Sequence, residues 1–258
     1  MRSADSTPEG SIGDILGNAP CGAAPAPEDL IWFQRFESTS PWSPQNVPTT
    51  LSADFGALLQ LSGNDASLVN AQPGCGNALS FGPSRLSYGV ITDELRLRQG
   101  VISLWVRFAT EGQLEGIISR DANGQVEAGH LTLMRASDMR IGFRLQAKDS
   151  GGDLLCSDDL APPNTWHHIR VTFGGDEPPT LTLNGRQTLF GEKIPVGTED
   201  WSCTVAPRIT HGIEGNSLPL VVGGSLMGWH TAQPVDVQHK LHGSVDEIVI
   251  SGVRATLP

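Results

Sequence analysis

The stretch Trp166-His167-His168-Ile169-Arg170-Val171-Thr172-Phe173, followed by Gly174-Gly175-Asp176-Glu177-Pro178-Pro179 and then by Thr180-Leu181-Thr182-Leu183-Asn184-Gly185, reads as a strand, a turn and a second strand. Side chains alternate across a strand, so His167, Ile169, Val171 and Phe173 share one face while His168, Arg170 and Thr172 share the other. Leu181 and Leu183 alternate in the same way against Thr180, Thr182 and Asn184. The hairpin is therefore expected to lie on a core with one face and to show the other to water or to a ligand.

Working outward, short runs of β-type composition recur: Leu30 to Phe36, Leu58 to Leu61, Ala78 to Phe81, Val101 to Phe108, Gly116 to Arg120, His130 to Arg135, Arg140 to Ala147, Leu218 to Val222 and Ser244 to Ser251. Most have Gly, Pro, Asn or Asp close by, and no window offers three clean turns of helical apolar spacing. The pattern predicts an all-β fold, an antiparallel two-sheet sandwich of the jelly-roll kind. No repeat of 20–50 residues is present, which excludes propellers and solenoids. Residues 1–28 are mostly polar or small and read as a flexible tail or linker. Phe190 to Ser217 reads as a long loop region, and long loops on rigid sheets are where recognition often sits.

At 258 residues the chain suits one large β domain. The 38% hydrophobic share, with the 30 glycines added, reaches about half of the chain, enough for a sizeable core. The net charge of -11 repels polyanions unless basic groups gather locally, so nucleic acid is not an expected partner. Arginine supplies 14 of the 17 basic residues, which suits two-point recognition of carboxylate or sulfate. Cys21, Cys75, Cys156 and Cys203 are too widely spaced for a zinc ribbon. Their even number predicts two disulfides in an oxidising compartment, with Cys21–Cys75 and Cys156–Cys203 expected among the three pairings that four cysteines allow. No stretch approaches the roughly 18 apolar residues of a membrane span, and the first 18 residues lack the apolar centre of a signal peptide. The chain is expected to be secreted, extracellular or periplasmic.

Three separated pieces resemble the laminin-G-like or concanavalin-A-like jelly roll, the lectin and glucanase family. Gly76-Asn77-Ala78-Leu79-Ser80-Phe81 and Val101-Ile102-Ser103-Leu104-Trp105-Val106-Arg107-Phe108 are similar to its small-residue-to-Phe strand and its Trp-containing strand. Asn164-Thr165-Trp166-His167-His168-Ile169-Arg170-Val171, with Leu183-Asn184-Gly185, resembles its Trp-His-His-Val strand and following hairpin, Asn184 standing where aspartate is commoner. Leu241-His242-Gly243-Ser244-Val245-Asp246-Glu247-Ile248-Val249-Ile250 resembles its closing strand. The resemblance covers residues 29–258 as one laminin-G-like domain. It implies a structural calcium with Asp246 as a ligand; Glu37, which follows the first strand at Phe36, is the candidate second carboxylate, the remaining oxygens coming from elsewhere in the chain.

The same alternation places candidate ligand-binding residues. With Ile102, Leu104, Val106 and Phe108 inward, Trp105 and Arg107 point outward. With Ile141, Phe143 and Leu145 inward, Arg140 and Arg144 point outward, and His168 and Arg170 follow from the hairpin. Aromatic faces stack on sugar rings and guanidinium forks grip hydroxyls or acids, so this set suits a polysaccharide or glycoconjugate. Strand order is not legible here, and the row spans one sheet or two. His130, His167 and His168 invite acid–base readings, but paired histidine at this strand matches the framework pattern of the resembling family. A hydrolase of this class needs two carboxylates placed across a groove. Asp93-Glu94, Asp158-Asp159 and Asp246-Glu247 are instead adjacent pairs, whose members alternate faces on a regular strand. Tyr88, His130, Arg107 and Arg144 are what a lyase acting on an acidic glycan would draw upon. The expectation is a binding module, with an anionic-glycan lyase or hydrolase, or a protein-binding adhesion module, as the alternatives.

Overall fold

The computed structural model describes residues 30–37, 50–71, 75–91, 95–121, 129–146, 152–188, 195–196, 201–202, 209–210, 212–213, 218–226 and 237–254. The expected tail at 1–28, Cys21 and Cys203 lie outside these residues. The first strands are β1 (Leu30–Gln34), β2 (Thr50–Leu51), β3 (Leu59–Ser62), β4 (Ala66–Asn70), β5 (Asn77–Phe81), β6 (Tyr88–Ile91) and β7 (Leu97–Phe108). There follow β8 (Glu115–Arg120), β9 (His130–Arg135), β10 (Arg140–Gln146), β11 (Gly152–Leu160), β12 (Trp166–Gly174), β13 (Thr180–Leu183) and β14 (Arg186–Gln187). The last are β15 (Pro195–Val196), β16 (Trp201–Ser202), β17 (Leu220–Val222), β18 (Ser225–Leu226), β19 (Val237–Gln238) and β20 (Gly243–Arg254).

Two antiparallel eight-stranded sheets result. The first runs β14-β13-β12-β7-β20-β5-β4, with β1 also on β20, and the second runs β11-β10-β9-β8-β17-β6-β3-β2. The opening hairpin is β12–β13, registered Ile169 to Leu183 and Val171 to Leu181. His167, Ile169, Val171 and Phe173 are at most 2% exposed, so this face enters the core as the alternation requires. Asn184, at φ 50°, begins the tight turn into β14, and its side-chain oxygen accepts from the His168 amide at 2.9 Å. An asparagine tolerates that left-handed backbone, so its substitution for aspartate costs the turn nothing.

Between the sheets, Ile102, Leu104, Val106 and Phe108 of β7 meet Leu131 and Leu133 of β9 and Ile141, Phe143 and Leu145 of β10, all part of one buried cluster. Each such side chain contributes roughly 1.5–3 kcal/mol on burial. Trp32 of β1 is fully buried, with its indole N–H donating to the Ala57 carbonyl at 2.8 Å. Three strands of four or more residues escape the compositional reading: β4, which follows Asp65 and ends on Asn70; β6, interrupted by Gly89; and β11, which opens on glycine and carries Asp158-Asp159 near its end. Within 190–217, where a long loop was expected, β15 and β16 pair as a short hairpin, and Ile213 is buried with its amide donating to Leu97 at 2.7 Å.

Alternation places Arg135 on the same face as Leu131 and Leu133, so its guanidinium enters the rim of the core. There Nη2 lies 2.6 Å from Glu115 Oε2, both side chains being fully buried, and the guanidinium stacks 4.1 Å over the Phe108 ring. Glu115 Oε1 also takes Arg85 at 3.0 Å and the His242 amide at 2.9 Å, and Arg85 donates to the Lys240 carbonyl at 3.3 Å. One carboxylate thus joins the segment before β6, the start of β8, the end of β9 and the entry to β20.

Candidate functional site

Register with β7 fixes which residues share the outward face of the first sheet. Trp166 pairs with Arg107, His168 with Trp105 and Arg170 with Ser103; on the other side of β7, Asp246 pairs with Trp105 and Ser244 with Arg107. Trp105, Arg107, His168, Arg170 and Asp246 are therefore brought together on one surface. Arg140 and Arg144 belong to β10 of the second sheet, so the expected row divides between two faces. There Arg140 donates to the Ser157 and Asp158 carbonyls at 2.8 and 3.0 Å, and Arg144 binds Asp121 at 2.7 Å and Gln146 at 2.8 Å. Both guanidinia serve internal partners. His130 joins the same polar cluster, with Nδ1 3.1 Å from Asp121 Oδ1, and is 1% exposed. Burial acts to raise the Asp121 pKa, but bonds from His130 and the Arg144 charge prevail and hold it below the ordinary value of 3.8.

At the centre of the first face, the Trp105 and His168 rings lie 5.0 Å apart and tilted by 46°. His168 Nε2 is 2.8 Å from Ser103 Oγ, and His168 is 8% exposed. Burial, aided by the Arg170 charge, pushes the His168 pKa down to about 4. An imidazole held neutral to that pH is a weak general base, so the Ser103–His168 contact orients the ring beneath Trp105. Next along the strands, the Arg107 guanidinium lies 5.6 Å from the Trp166 ring. Trp105, Arg107, Trp166 and Arg170 are all partly exposed. Trp166 was absent from the expected set, although the alternation that placed His168 and Arg170 outward also places Trp166 there.

The His168 environment has a pH consequence. Its folded pKa lies below the ordinary 6.5, so the unfolded chain binds the proton first. The stability it supplies is complete above pH 6.5 and is lost as pH falls toward 4, about 3 kcal/mol in all. His167, also depressed by burial, acts in the same direction. Denaturant titrations of wild type and His168→Gln at pH 7, 5 and 4 should show a shallower acid loss in the variant. Identical pH profiles would refute the assignment.

Beside this strip lies a second feature. Strand β5 pairs with residues 243–245 of β20 and β1 with residues 248–251, both on the edge of β20 away from β7. At the junction the register against β7 slips between Asp246 and Val249, and Glu247 adopts φ 46°. This bulge prevents the strict alternation expected of Asp246 and Glu247. Asp246 is 1% exposed; its Oδ1 accepts from the Glu247 amide at 2.8 Å, while Oδ2 is buried without a hydrogen-bond partner. Burial, and then the Glu247 and Glu37 charges, raise its pKa to about 8. Glu37 sits where β1 ends, its carboxylate against Gly76 at the start of β5, and a side chain at Gly76 would collide with it. Glu37 also lines a cleft of about 270 Å3 with Arg35 and Asp54, which pair at 3.1 Å. A buried carboxylate oxygen without a donor, near a second carboxylate, is the donor chemistry a hard divalent cation takes. Among the described residues no group of three or more His, Cys, Asp or Glu converges, so further ligands would be carbonyls or water.

Residues 92–201 match the family model of the concanavalin A-like lectin/glucanases superfamily. No curated protein matches the chain in sequence. Among solved structures, the chain resembles domain 4 of AbnA, a GH43 extracellular arabinanase from Geobacillus stearothermophilus solved in complex with arabinotriose. That match has 16% identity and a TM-score of 0.52, and covers 88% of this chain and 94% of that one. It also resembles the binding domain of Paraclostridial Mosquitocidal Protein 1, at 13% identity and TM-score 0.53, and the receptor binding domain of botulinum neurotoxin D, at 12% identity and TM-score 0.53. Each of those covers 88% of this chain, which spans about half (50%) of the longer chain it matches. These likenesses establish the shared fold.

Proposed function

We propose that this chain, whose residues 92–201 match the concanavalin A-like lectin/glucanases superfamily, is a secreted module that binds a saccharide or glycoconjugate on the outward face of its first sheet. The observation that carries this reading is the strip of Trp105, Trp166 and Arg107 on adjacent strands. Two partly exposed indoles offer apolar faces to sugar rings, and a guanidinium between them offers directional donors to sugar oxygens. His168, held by Ser103, packs its ring against Trp105. That the structurally similar arabinanase domain was solved with arabinotriose adds support.

The reading includes a structural calcium at Asp246, with Glu37 as second carboxylate. Bound there, the ion would neutralise a buried charge directly across the register from Trp105. It also includes two disulfides. Cys75 and Cys156 are buried, neither is a free thiol, and the proposed partners are Cys21 and Cys203 respectively.

A glycan array probed with and without a calcium chelator tests the function. Binding without turnover, weakened by the chelator, supports it, and Trp105→Ala or Trp166→Ala should each weaken the best hit at least tenfold. Absence of binding to any glycan would sink the reading. Capture of a protein surface that glycans do not compete for would transfer the face to an adhesion role.

A further inference from the structure

Resting on that reading, we infer that the saccharide recognised by this face is acidic, its carboxylate or sulfate gripped by Arg107 while a sugar ring stacks on Trp166. Among the described residues, several arginines pair with acids: Arg35 with Asp54, Arg85 and Arg135 with Glu115, Arg140 with Asp138, Arg144 with Asp121 and Arg186 with Asp159. Arg107, on the outward strip, is not among them. Its guanidinium lies over the Trp166 ring and has no acidic partner among the described residues, although it is partly exposed on a chain of net charge -11. A partly exposed guanidinium on such a strip can answer an incoming carboxylate or sulfate with a two-point, charge-assisted hydrogen bond.

The arrangement is also geometrically apt. Arg107 and Trp166 are directly registered across β7 and β12, so one cross-strand pair sets the guanidinium over one face of the indole. Arg170, two register positions along the same face from His168, adds a second positive group. Asp246, across the register from Trp105, is buried, and Glu247 follows it on the β20 bulge. Arg107 and Arg170 thus place two guanidinia on one face of a chain of net charge -11, and local basic groups are what allow an acidic chain to bind an acidic polymer. A neutral glycan would use the indoles and leave the guanidinium's charge unanswered.

Calorimetric titration with three probes separates the outcomes: a galacturonate oligosaccharide, a sulfated glycosaminoglycan oligosaccharide and a neutral galactan oligosaccharide of equal length. Wild type should bind one of the acidic probes at least tenfold more tightly than the neutral one. Raising salt from 50 to 500 mM should weaken the acidic complex and leave the neutral one nearly unchanged. Arg107→Gln should remove the acidic preference, and Arg107→Lys, which keeps charge without the fork, should restore it in part. Which acidic probe binds distinguishes carboxylate from sulfate. Equal affinity for the neutral probe, or an unchanged preference in Arg107→Gln with a wild-type melting temperature, would overturn this inference while leaving saccharide binding intact. Failure of all three probes, together with a blank glycan array, would overturn both.

Discussion

Replacing Glu115 by glutamine is expected to cost about 3–5 kcal/mol and to lower the melting temperature by roughly 10 °C. The carboxylate is fully buried and answers Arg135, Arg85 and the His242 amide at once. Burial pushes the Arg135 guanidinium's pKa below its ordinary value, and the Glu115 charge is the main force keeping the ion in place. An amide at position 115 would leave Arg135 buried against a dipole, and an uncompensated buried charge is what makes breaking such a pair costly. The exposed pair of Arg186 and Asp159, at 2.8 Å with side chains 64% and 46% exposed, is the control. Its removal should move stability by at most about 0.5 kcal/mol, because solvent screens it. Thermal melts of the two variants decide the matter: a Glu115→Gln protein melting within 2 °C of wild type would show that the network does not staple the rim.

Calcium is expected to raise the melting temperature of the wild-type protein and to leave Asp246→Asn unmoved. Without a cation, Asp246 has a folded pKa near 8 against an ordinary 3.8, so the folded state binds its proton more tightly than the unfolded state. Metal-free stability therefore falls as pH rises from about 4 through 8, by the order of 5 kcal/mol before relaxation reduces it. Asparagine removes the buried charge, so the metal-free variant should be more stable than metal-free wild type above pH 8. A cation bound at one hundred times its dissociation constant adds about 2.7 kcal/mol to wild type alone. Melts at pH 6 and 9, with calcium and with chelator, test the assignment. A calcium-induced shift that survives in Asp246→Asn would place the ion elsewhere, and a wild type indifferent to calcium would remove it.

Much of the fold is written in local alternation. The β12–β13 hairpin, the inward row of β7 and the inward row of β10 follow directly from period-two patterning, because each strand buries one face only. What alternation does not carry is strand order, which depends on pairings between residues far apart in the chain. Arg107 and Arg144 look equivalent in sequence, yet β7 and β10 lie in different sheets, and Arg144 is drawn into a pair with Asp121. Arg135 shows the opposite failure. Its place beside Leu131 and Leu133 was legible, but the buried partner that makes a charged residue tolerable there comes from another strand.

The candidate site divides similarly. Trp105, Arg107, His168 and Arg170 were legible as outward residues, and Trp166 was available by the same count. The bulge at Asp246-Glu247 was not, since it arises where β1 and β5 meet on one edge of β20 and the backbone absorbs an extra residue. That junction makes Asp246 a buried carboxylate and not one more acid on a solvated strand.

The most direct test of the account compares saccharide binding by Trp105→Ala/Trp166→Ala with binding by Arg140→Ala/Arg144→Ala, using the strongest array ligand in calorimetry. The outward face of the first sheet predicts that binding disappears in the tryptophan pair and persists within twofold in the arginine pair. Binding retained by the tryptophan variant and lost by the arginine variant would put the site on the second sheet and contradict the account.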